Sequence, residues 1–198
     1  IATGLSHVAR QCAVYLLLMN DMIDVHVLTL PNDRQDWFKQ CMASLQNQPI
    51  EVHVLAGVQG HIGKGRVNGF MAGNKPYVSL VDPDDIVTQN GFRDCLALLQ
   101  EHPELHGAYT AEDQSYQDDF GVWRVKKADP MKGSLVHHLL VLRREVAEQY
   151  FMDLLDHPQY PETAMLNHMK RDGVNLGYTH SVGYVWRRYQ KVFNYGKY

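Results

Sequence analysis

The stretch Y-V-S-L-V-D-P-D-D, Tyr77 to Asp85, joins a short apolar run to an abrupt group of acids. Its first five residues, Tyr77–Val81, have the length and β-branched content of a buried strand. Three carboxylates, those of Asp82, Asp84 and Asp85, follow at once. Ligands of open α/β sheets bind beyond the carboxyl ends of the strands. The stretch therefore predicts a strand that brings acidic side chains to a ligand-binding edge.

These acids point to a divalent cation. Neighbouring carboxylates repel one another unless a cation or hydrogen-bond donors offset their charge. Mg²⁺ and Mn²⁺ prefer oxygen ligands and often add substrate phosphates to their shell. We therefore predict a site for Mn²⁺ or Mg²⁺ held by Asp84 and Asp82. The alternative is an acidic helix N-terminus, but the position directly after a strand favours the metal.

Strands and helices alternate around this stretch. Upstream lie a strand at 25–30, a helix and a strand at 52–55; the helix carries Trp37, Cys41 and Leu45 on one face. A helix at 92–100 follows downstream. Such alternation predicts parallel pairing through right-handed crossovers.

The pattern changes after about residue 108. Shorter strands separated by polar loops are predicted at 108–110, 122–125, 139–142 and 183–188. Helices are predicted at 144–155 and 162–171. The fold class that we predict is α/β, with a mostly parallel central sheet flanked by helices and a mixed second half.

The 198 residues fit one domain, 1–198, with a peripheral segment at 1–21, a donor half at 22–107 and an acceptor half at 108–198. Residues 1–119 carry a net charge of −8 and residues 120–198 a net charge of +5. This asymmetry fits a metal site facing a site for an anion. It fits charges on different solvated faces equally well.

The composition excludes several classes of protein. With 45% hydrophobic and 21% charged residues, the chain is neither disordered nor fibrous. No stretch approaches the roughly 20 apolar residues of a membrane span. Three scattered cysteines argue for a reducing compartment, so a cytoplasmic location is expected.

The motif G-K-G-R-V-N-G, Gly63 to Gly69, supplies Lys64, Arg66 and Asn68. We predict that it forms a glycine-permitted loop entering a helix, an end that favours phosphate binding. It is not a Walker A loop, because the order of that motif is absent. Cations before the acids are what a metal-bound diphosphate would require.

Together with H-V-L-T-L-P-N-D-R and the strand with its acids, this motif resembles the donor half of GT-A glycosyltransferases, especially the family 2 type. The resemblance covers most of residues 24–190. It implies that the chain takes a sugar from a UDP- or GDP-sugar. It also implies roles for single residues. Thr29, Pro31 and Arg34 would line the nucleotide pocket, and Arg66 and Asn68 would lie near the ribose or the diphosphate. Asp82 and Asp84 would flank the nucleotide and the metal.

The same resemblance places the catalytic base at Glu162. Family members often have an E-D pair at this point, and here Thr163 replaces the second acid. A second departure is Ala56-Gly57 after the second strand, where such proteins commonly carry an aspartate. Asp113 is our second candidate for the base. An exposed acid at the start of a helix is the alternative for Glu162.

Further residues are candidates for the metal and the acceptor. His180 is a candidate metal or diphosphate ligand, although a lone histidine is more often a polar structural residue. Aromatic and basic residues alternate near the end of the chain, where Trp186, Arg187 and Arg188 are candidates for acceptor binding. Ordinary packing of an edge strand and tail explains the same pattern.

The function predicted from these features is a metal-dependent glycosyltransferase. Its acceptor hydroxyl belongs to a saccharide or to a hydroxymethylated DNA base, the kind of acceptor modified by small phage-encoded transferases of related type. Two other classes remain open. A nucleotidyltransferase would need a glycine-rich loop directly after the first strand, which Thr29–Arg34 lacks. A non-catalytic module that binds a nucleotide or nucleic acid would show no turnover of a donor.

Overall fold

The structure is a computed structural model that describes residues 22–118, 120–133, 138–156 and 160–188. The segment 1–21, which we expect to be peripheral, lies outside the described residues, as do His137 and the aromatic tail after Arg188. In the described part of the chain, no helix has the length and apolar character needed to cross a bilayer.

The first half alternates strands and helices, as the sequence predicts. Its elements are β1 (Ile23–Thr29), α1 (Gln35–Ser44), β2 (Ile50–Ala56), α2 (Ile62–Phe70), β3 (Tyr77–Val81), β4 (Ile86–Val87) and α3 (Gly91–Glu101). The strand β3 ends where the acids begin, because Pro83 in the following turn cannot continue the hydrogen-bond ladder.

The second half holds longer and mixed strands. Its elements are β5 (Gly107–Gln117), β6 (Trp123–Lys126), a 3-10 helix (Pro130–Lys132), β7 (Leu140–Arg143), α4 (Arg144–Tyr150), a 3-10 helix (Phe151–Leu155), α5 (Pro161–Arg171) and β8 (Leu176–Arg188). The helix predicted over 144–155 therefore tightens into 3-10 geometry after Tyr150. The last strand begins seven residues before the predicted start.

The eight strands found in the described residues belong to one sheet. The order is β2-β1-β3-β7-β5-β8-β4, and β6 pairs with β5 outside this path. The strands β2, β1 and β3 are parallel, whereas β7 runs antiparallel to both β3 and β5. The mostly parallel first half and the mixed second half agree with the predicted fold class.

The sheet is covered on both faces. Along β1, Ile23, Val25 and Val27 face a core that includes Phe92 of α3. The opposite face of the sheet packs against α2, α4 and α5, and this second core includes Phe70. Because both faces are buried, the edge beyond the carboxyl ends of β1 and β3 is where a ligand can reach the chain.

The motif G-K-G-R-V-N-G corrects one prediction. We expected a loop that leads into a helix, but α2 already begins at Ile62 and contains the whole motif. Its glycines permit close packing instead. A Cβ on Gly63 would overlap the carbonyl of Leu154, and one on Gly69 would overlap the ring of His26.

Candidate active site

The turn after β3 carries the three acids. The N–H of Asp85 donates to the carbonyl of Asp82 at 3.1 Å and so closes the turn around Pro83. The buried carboxylate of Asp85 accepts from the Tyr184 hydroxyl at 2.9 Å and from the N–H of Arg187 at 2.7 Å. Asp85 therefore anchors the turn on β8.

Arg187 lies behind this turn rather than on the surface. Its guanidinium donates to the carbonyl of Asp84, to the carbonyl of Trp37 at 3.2 Å and to the side-chain oxygen of Gln40 at 2.7 Å. It also lies 4.3 Å above the indole ring of Trp37. The expected role of Arg187 in acceptor binding does not fit this placement, because its guanidinium is buried and binds the protein itself.

Arg66 reaches the acids from α2. Its Nε donates to Glu162 of α5 at 2.7 Å, and one terminal nitrogen donates to Asp82. The side chain of Arg66 is only 6% exposed, so both ion pairs lie largely out of water. The other terminal nitrogen, Nη1, is buried and has no partner among the described residues. The sequence-predicted residues Arg66, Asp82 and Glu162 thus meet in one place.

The three acids of the turn differ in how their charge is offset. Burial acts to raise the pKa of Asp82, but Arg66, with smaller contributions from two histidines, holds that pKa below its ordinary value. Burial, together with the negative charge of Asp82, raises the pKa of Asp84 to about 6. Burial and the two neighbouring acids raise the pKa of Asp85 well above its ordinary value. The turn therefore carries negative charge that its surroundings offset only in part.

A pocket of about 360 Å³ opens beside these residues. Its lining includes the charged residues Arg66, Asp82 and Glu162 and the apolar residues Leu28 and Leu30. The remaining lining residues come from both halves of the chain: Asp33, Gly57, Val58, Ile62, Leu80, Pro83, His138, Tyr160, Thr163, Leu166 and Trp186. The pocket therefore joins charged groups to an apolar wall.

A second pocket of about 370 Å³ lies at the ends of β1 and β2. Thr29 and Pro31 line it, together with Phe38, and it shares Leu30 and Asp33 with the first pocket. Arg34 lines neither pocket; it forms an exposed ion pair with Asp36 and lies 4.7 Å over the ring of Trp37. Nucleotide binding by Thr29, Pro31 and Arg34 stays a prediction.

Lys64 and Asn68 lie on the outer face of α2. Both are exposed, and neither lines the two pockets described here. Residues on one helix face recur every three or four positions. Lys64 and Asn68 are each two positions from Arg66, so they lie on a different face of α2 from Arg66. A diphosphate bound in the pocket would have to extend around α2 to contact Lys64 and Asn68 as predicted.

Asp113 and His180 also lie apart from the pocket. Asp113 is buried on β5 and accepts from Lys127 Nζ at 2.6 Å and from the N–H of Ala128 at 2.9 Å. His180 is exposed, has a φ of 54° and packs at 4.6 Å against the ring of Tyr178. The geometry therefore favours Glu162 over Asp113 as a carboxylate next to a substrate, and it gives no support to His180 as a metal ligand.

The end of β8 places Trp186 at the pocket. Its ring lines the cavity, and the exposed Arg188 lies 4.6 Å above that ring. Aromatic faces of this kind stack on sugars and bases. Acceptor binding by Trp186 and Arg188 stays a prediction.

Sequence reasoning missed a histidine–carboxylate pair in the pocket. Nδ1 of His138 lies 2.6 Å from a carboxylate oxygen of Glu112, and both side chains are nearly buried. The ring of His138 is parallel to that of Tyr184 at 5.0 Å and lies 5.1 Å from that of Trp186. The pair joins β5 to the segment just before β7, and no local pattern reveals such a contact.

The residues of the turn fit a divalent cation. No hydrogen bond from a side chain to the Asp84 carboxylate is seen among the described residues, and Arg187 together with a backbone N–H offsets its charge only in part. Asp82, Asp85 and His138 also come within 4.8 Å of one another. In that group, however, Asp85 is already bound by Tyr184 and by the Arg187 N–H. Asp84 belongs to no such group among the described residues and lines neither pocket, so a cation held by Asp84 and Asp82 stays a prediction.

Comparisons with known proteins bear on the fold. No protein-family model and no curated protein matches the chain. Among solved structures, S. aureus TarS 1–349 matches with a TM-score of 0.60 at 14% identity, covering 83% of this chain and 60% of that one. Its complex with UDP gives 0.60 at 15% identity, covering 84% and 60%. Its complex with UDP-GlcNAc gives 0.58 at 12%, covering 89% and 61%.

This chain thus spans about 60% of the length of the TarS chains that it matches. At such low identity the likeness bears on the fold alone. The chain has a GT-A-like α/β fold, in which a central sheet is flanked by helices and the acids after β3 lie beyond the carboxyl ends of the parallel strands.

Proposed function

We propose that the chain is a glycosyltransferase that moves a sugar from a nucleoside-diphosphate sugar to an acceptor hydroxyl. The observation that carries the proposal is the buried Arg66, which joins Asp82 to Glu162 at the wall of the pocket and keeps one terminal nitrogen without a described partner. A buried donor without a partner is costly, and a diphosphate oxygen is a suitable acceptor. The TarS structures with UDP and UDP-GlcNAc support the same class of donor.

Asp84, with Asp82 beside it, would hold Mn²⁺ or Mg²⁺. A divalent cation bound there supplies positive charge to a departing diphosphate. The protein side of the chemistry is electrostatic. Arg66 stays charged, since Asp82 and Glu162 outweigh the effect of burial and raise its pKa, and its fixed position avoids reorganisation as charge builds on the leaving group.

The apolar wall and the aromatic platform suggest where the two substrates lie. Leu28, Leu30 and Ile62 line the pocket with apolar side chains, on which we place the nucleoside, whereas Trp186 and Arg188 are on β8. The acceptor that we propose is a saccharide or a hydroxymethylated DNA base. Either would stack on the ring of Trp186.

Release of a nucleoside diphosphate tests the proposal. The protein is incubated with UDP-GlcNAc, UDP-glucose and GDP-mannose, with Mn²⁺ or with EDTA, and with or without hydroxymethylated DNA. We expect release that depends on Mn²⁺ and falls about 10²–10³-fold in Asp84→Asn, the usual cost of losing one electrostatic group in an active site. Asp118→Asn, in the β5–β6 loop, is the matched control. A folded protein that releases no nucleoside diphosphate from any donor would contradict the proposal.

A further inference from the structure

We propose that one face of the three strands β5, β6 and β8 binds single-stranded DNA and presents the acceptor base to the pocket. The residues of this basic face are Tyr116, Arg124, Lys126 and Arg188. The inference rests on the proposed function, because it chooses between the two acceptors named there. It favours DNA over a saccharide.

The register of the strands brings these side chains together. Side chains directly opposite one another on paired strands project to the same face of a sheet. Tyr116 of β5 is opposite both Arg124 of β6 and Arg188 of β8. Gln114, two residues before Tyr116, is opposite Lys126 of β6. Because side chains two positions apart on a strand share a face, the two rows form one continuous surface.

The opposite face of the same strands packs against α1. Arg187 and Trp123 alternate with the residues of the basic face, and both lie against the ring of Trp37, at 4.3 Å and 5.5 Å. The basic face therefore points away from α1. Its residues are open to solvent: Lys126 and Arg188 are exposed, and Tyr116 is 38% exposed.

Positive charge predominates on the basic face. Arg124 donates to Asp118 at 2.9 Å, but the arginine side chain is 58% exposed. Exposed ion pairs are weak, so this guanidinium can exchange its partner for a phosphate. The acid of β5 that shares this face, Glu112, lies 2.6 Å from His138 at the pocket. Exposed cations spaced along strands match the repeated phosphates of a nucleic acid.

Flat groups between the cations favour a nucleic acid over an acidic saccharide. The ring of Tyr116 lies between Arg124 and Arg188 in its row. The guanidinium of Arg188 is held 4.6 Å over the ring of Trp186. Bases stack on aromatic rings and on guanidinium planes. They can do so only when they are outside a duplex, and the basic face therefore fits a single strand.

The basic face leads into the pocket. Gln114 is opposite Trp186 of β8, and Trp186 lines the pocket. Neighbouring strands lie about 4.8 Å apart, so the backbone at Lys126 is about 10 Å from that at Trp186. A strand held on the basic face can thus place one unstacked base, with its hydroxyl, beside Trp186. Binding here adds no chemical step to the proposed transfer.

Fluorescence anisotropy of a labelled oligothymidylate tests the basic face without a sugar donor. Lys126→Gln should reduce the slope of log Kd against log salt concentration by about 0.7, the effect of losing one phosphate contact on a single strand. Lys126→Arg should keep the slope. Tyr116→Ala should weaken binding about tenfold with the slope unchanged, because this change removes a stacking ring and no charge.

The matched control is Lys39→Gln, because Lys39 is an exposed lysine on α1. It should leave affinity and slope unchanged. An unchanged slope in Lys126→Gln would overturn the inference. So would equal binding of an abasic strand, since any polyanion would then bind as well, or binding of a duplex as tight as that of the single strand. If Tyr116→Ala does not fold, the abasic strand tests stacking in its place.

Failure of the two proposals looks different. If the basic face does not bind DNA, the unaltered protein still releases a nucleoside diphosphate from its donor but does not bind oligothymidylate. If the proposed function is wrong, no donor is turned over. Oligothymidylate binding that depends on Lys126 and Tyr116 would then confirm the DNA-binding surface and overturn its role as an acceptor site.

Discussion

Acids at the two ends of the parallel strands have opposite environments. Asp24, near the amino end of β1, is 1% exposed and accepts from Arg144 at 2.5 Å and from the N–H of Lys75 at 2.6 Å. His53 lies 2.7 Å from its other oxygen. At the carboxyl end of β3, by contrast, Asp84 has no donor among the described side chains.

Proximity of ligand atoms does not separate these two regions. Asp24, Glu51 and His53 come within 4.8 Å of one another, as do Asp82, Asp85 and His138. The two regions differ in how far neighbouring groups offset the negative charge of the carboxylates. At Asp24 a guanidinium and a backbone N–H already offset the carboxylate, whereas the turn after β3 keeps charge that a bound ligand can offset. We therefore expect the first region to serve stability and the second to bind a ligand.

The largest expected effect is a loss of stability when Asp24 is replaced. Asp24→Ala leaves the largely buried guanidinium of Arg144 without its carboxylate, and removing one partner of such a pair costs about 3–5 kcal/mol. Urea unfolding should show this loss as a lower midpoint with an unchanged slope. Glu51→Gln is the control on β2, because its pair with Lys75 is half exposed and contributes at most about 1 kcal/mol. Equal losses in the two variants would show that burial at Asp24 is unimportant.

A smaller effect is expected from Arg66→Lys. The ammonium group keeps the charge but cannot reproduce the fork that donates to both Asp82 and Glu162. Loss of one buried charge-assisted hydrogen bond should lower the free energy of unfolding by about 1–3 kcal/mol. Arg34→Lys, at the exposed pair with Asp36, should give no measurable change. An unchanged stability in Arg66→Lys would mean that the pocket tolerates either cation, contrary to the fixed geometry described above.

Much of the fold is visible in the sequence because its signals are local. Tyr77–Val81 is an uninterrupted apolar run ended by Asp82 and Pro83, and the structure has β3 at these residues. The start of β8 was predicted wrongly for an equally local reason. The register of β8 shifts between Tyr109 and Glu112 on its partner strand, and His180 has a positive φ, so alternation is lost before Gly183.

The site is visible only in part because its contacts are not local. Arg66, Asp82 and Glu162 are each recognisable as charged residues near element ends, but their meeting depends on how α2 and α5 pack against the sheet. Burial on a strand depends on the partner strands as well. The sequence therefore indicated Asp113 as a candidate base and Arg187 as a candidate for acceptor binding, although both side chains are buried in the structure.

The smallest expected effect is the pH dependence of stability that comes from Asp84. The folded chain holds the proton of Asp84 up to a pKa of about 6, whereas an unfolded chain releases it near 3.8. Between these values the folded state binds more protons, so the folded state gains stability as the pH falls from 7 to 5. The expected gain from Asp84 is roughly 1 kcal/mol over this range. Asp84→Asn should lose this gain when both proteins are unfolded by urea in EDTA.

Mn²⁺ gives the opposite expectation, because a cation binds the ionised carboxylate. With saturating Mn²⁺ the unaltered protein should be more stable at pH 7 than in EDTA, and acidification to pH 5 should reduce that advantage. Asp84→Asn should show little response to the cation at either pH. If the two proteins instead showed the same pH slope in EDTA, the charge at the end of β3 would be compensated as fully as that of Asp24, and the contrast between the two regions would fail.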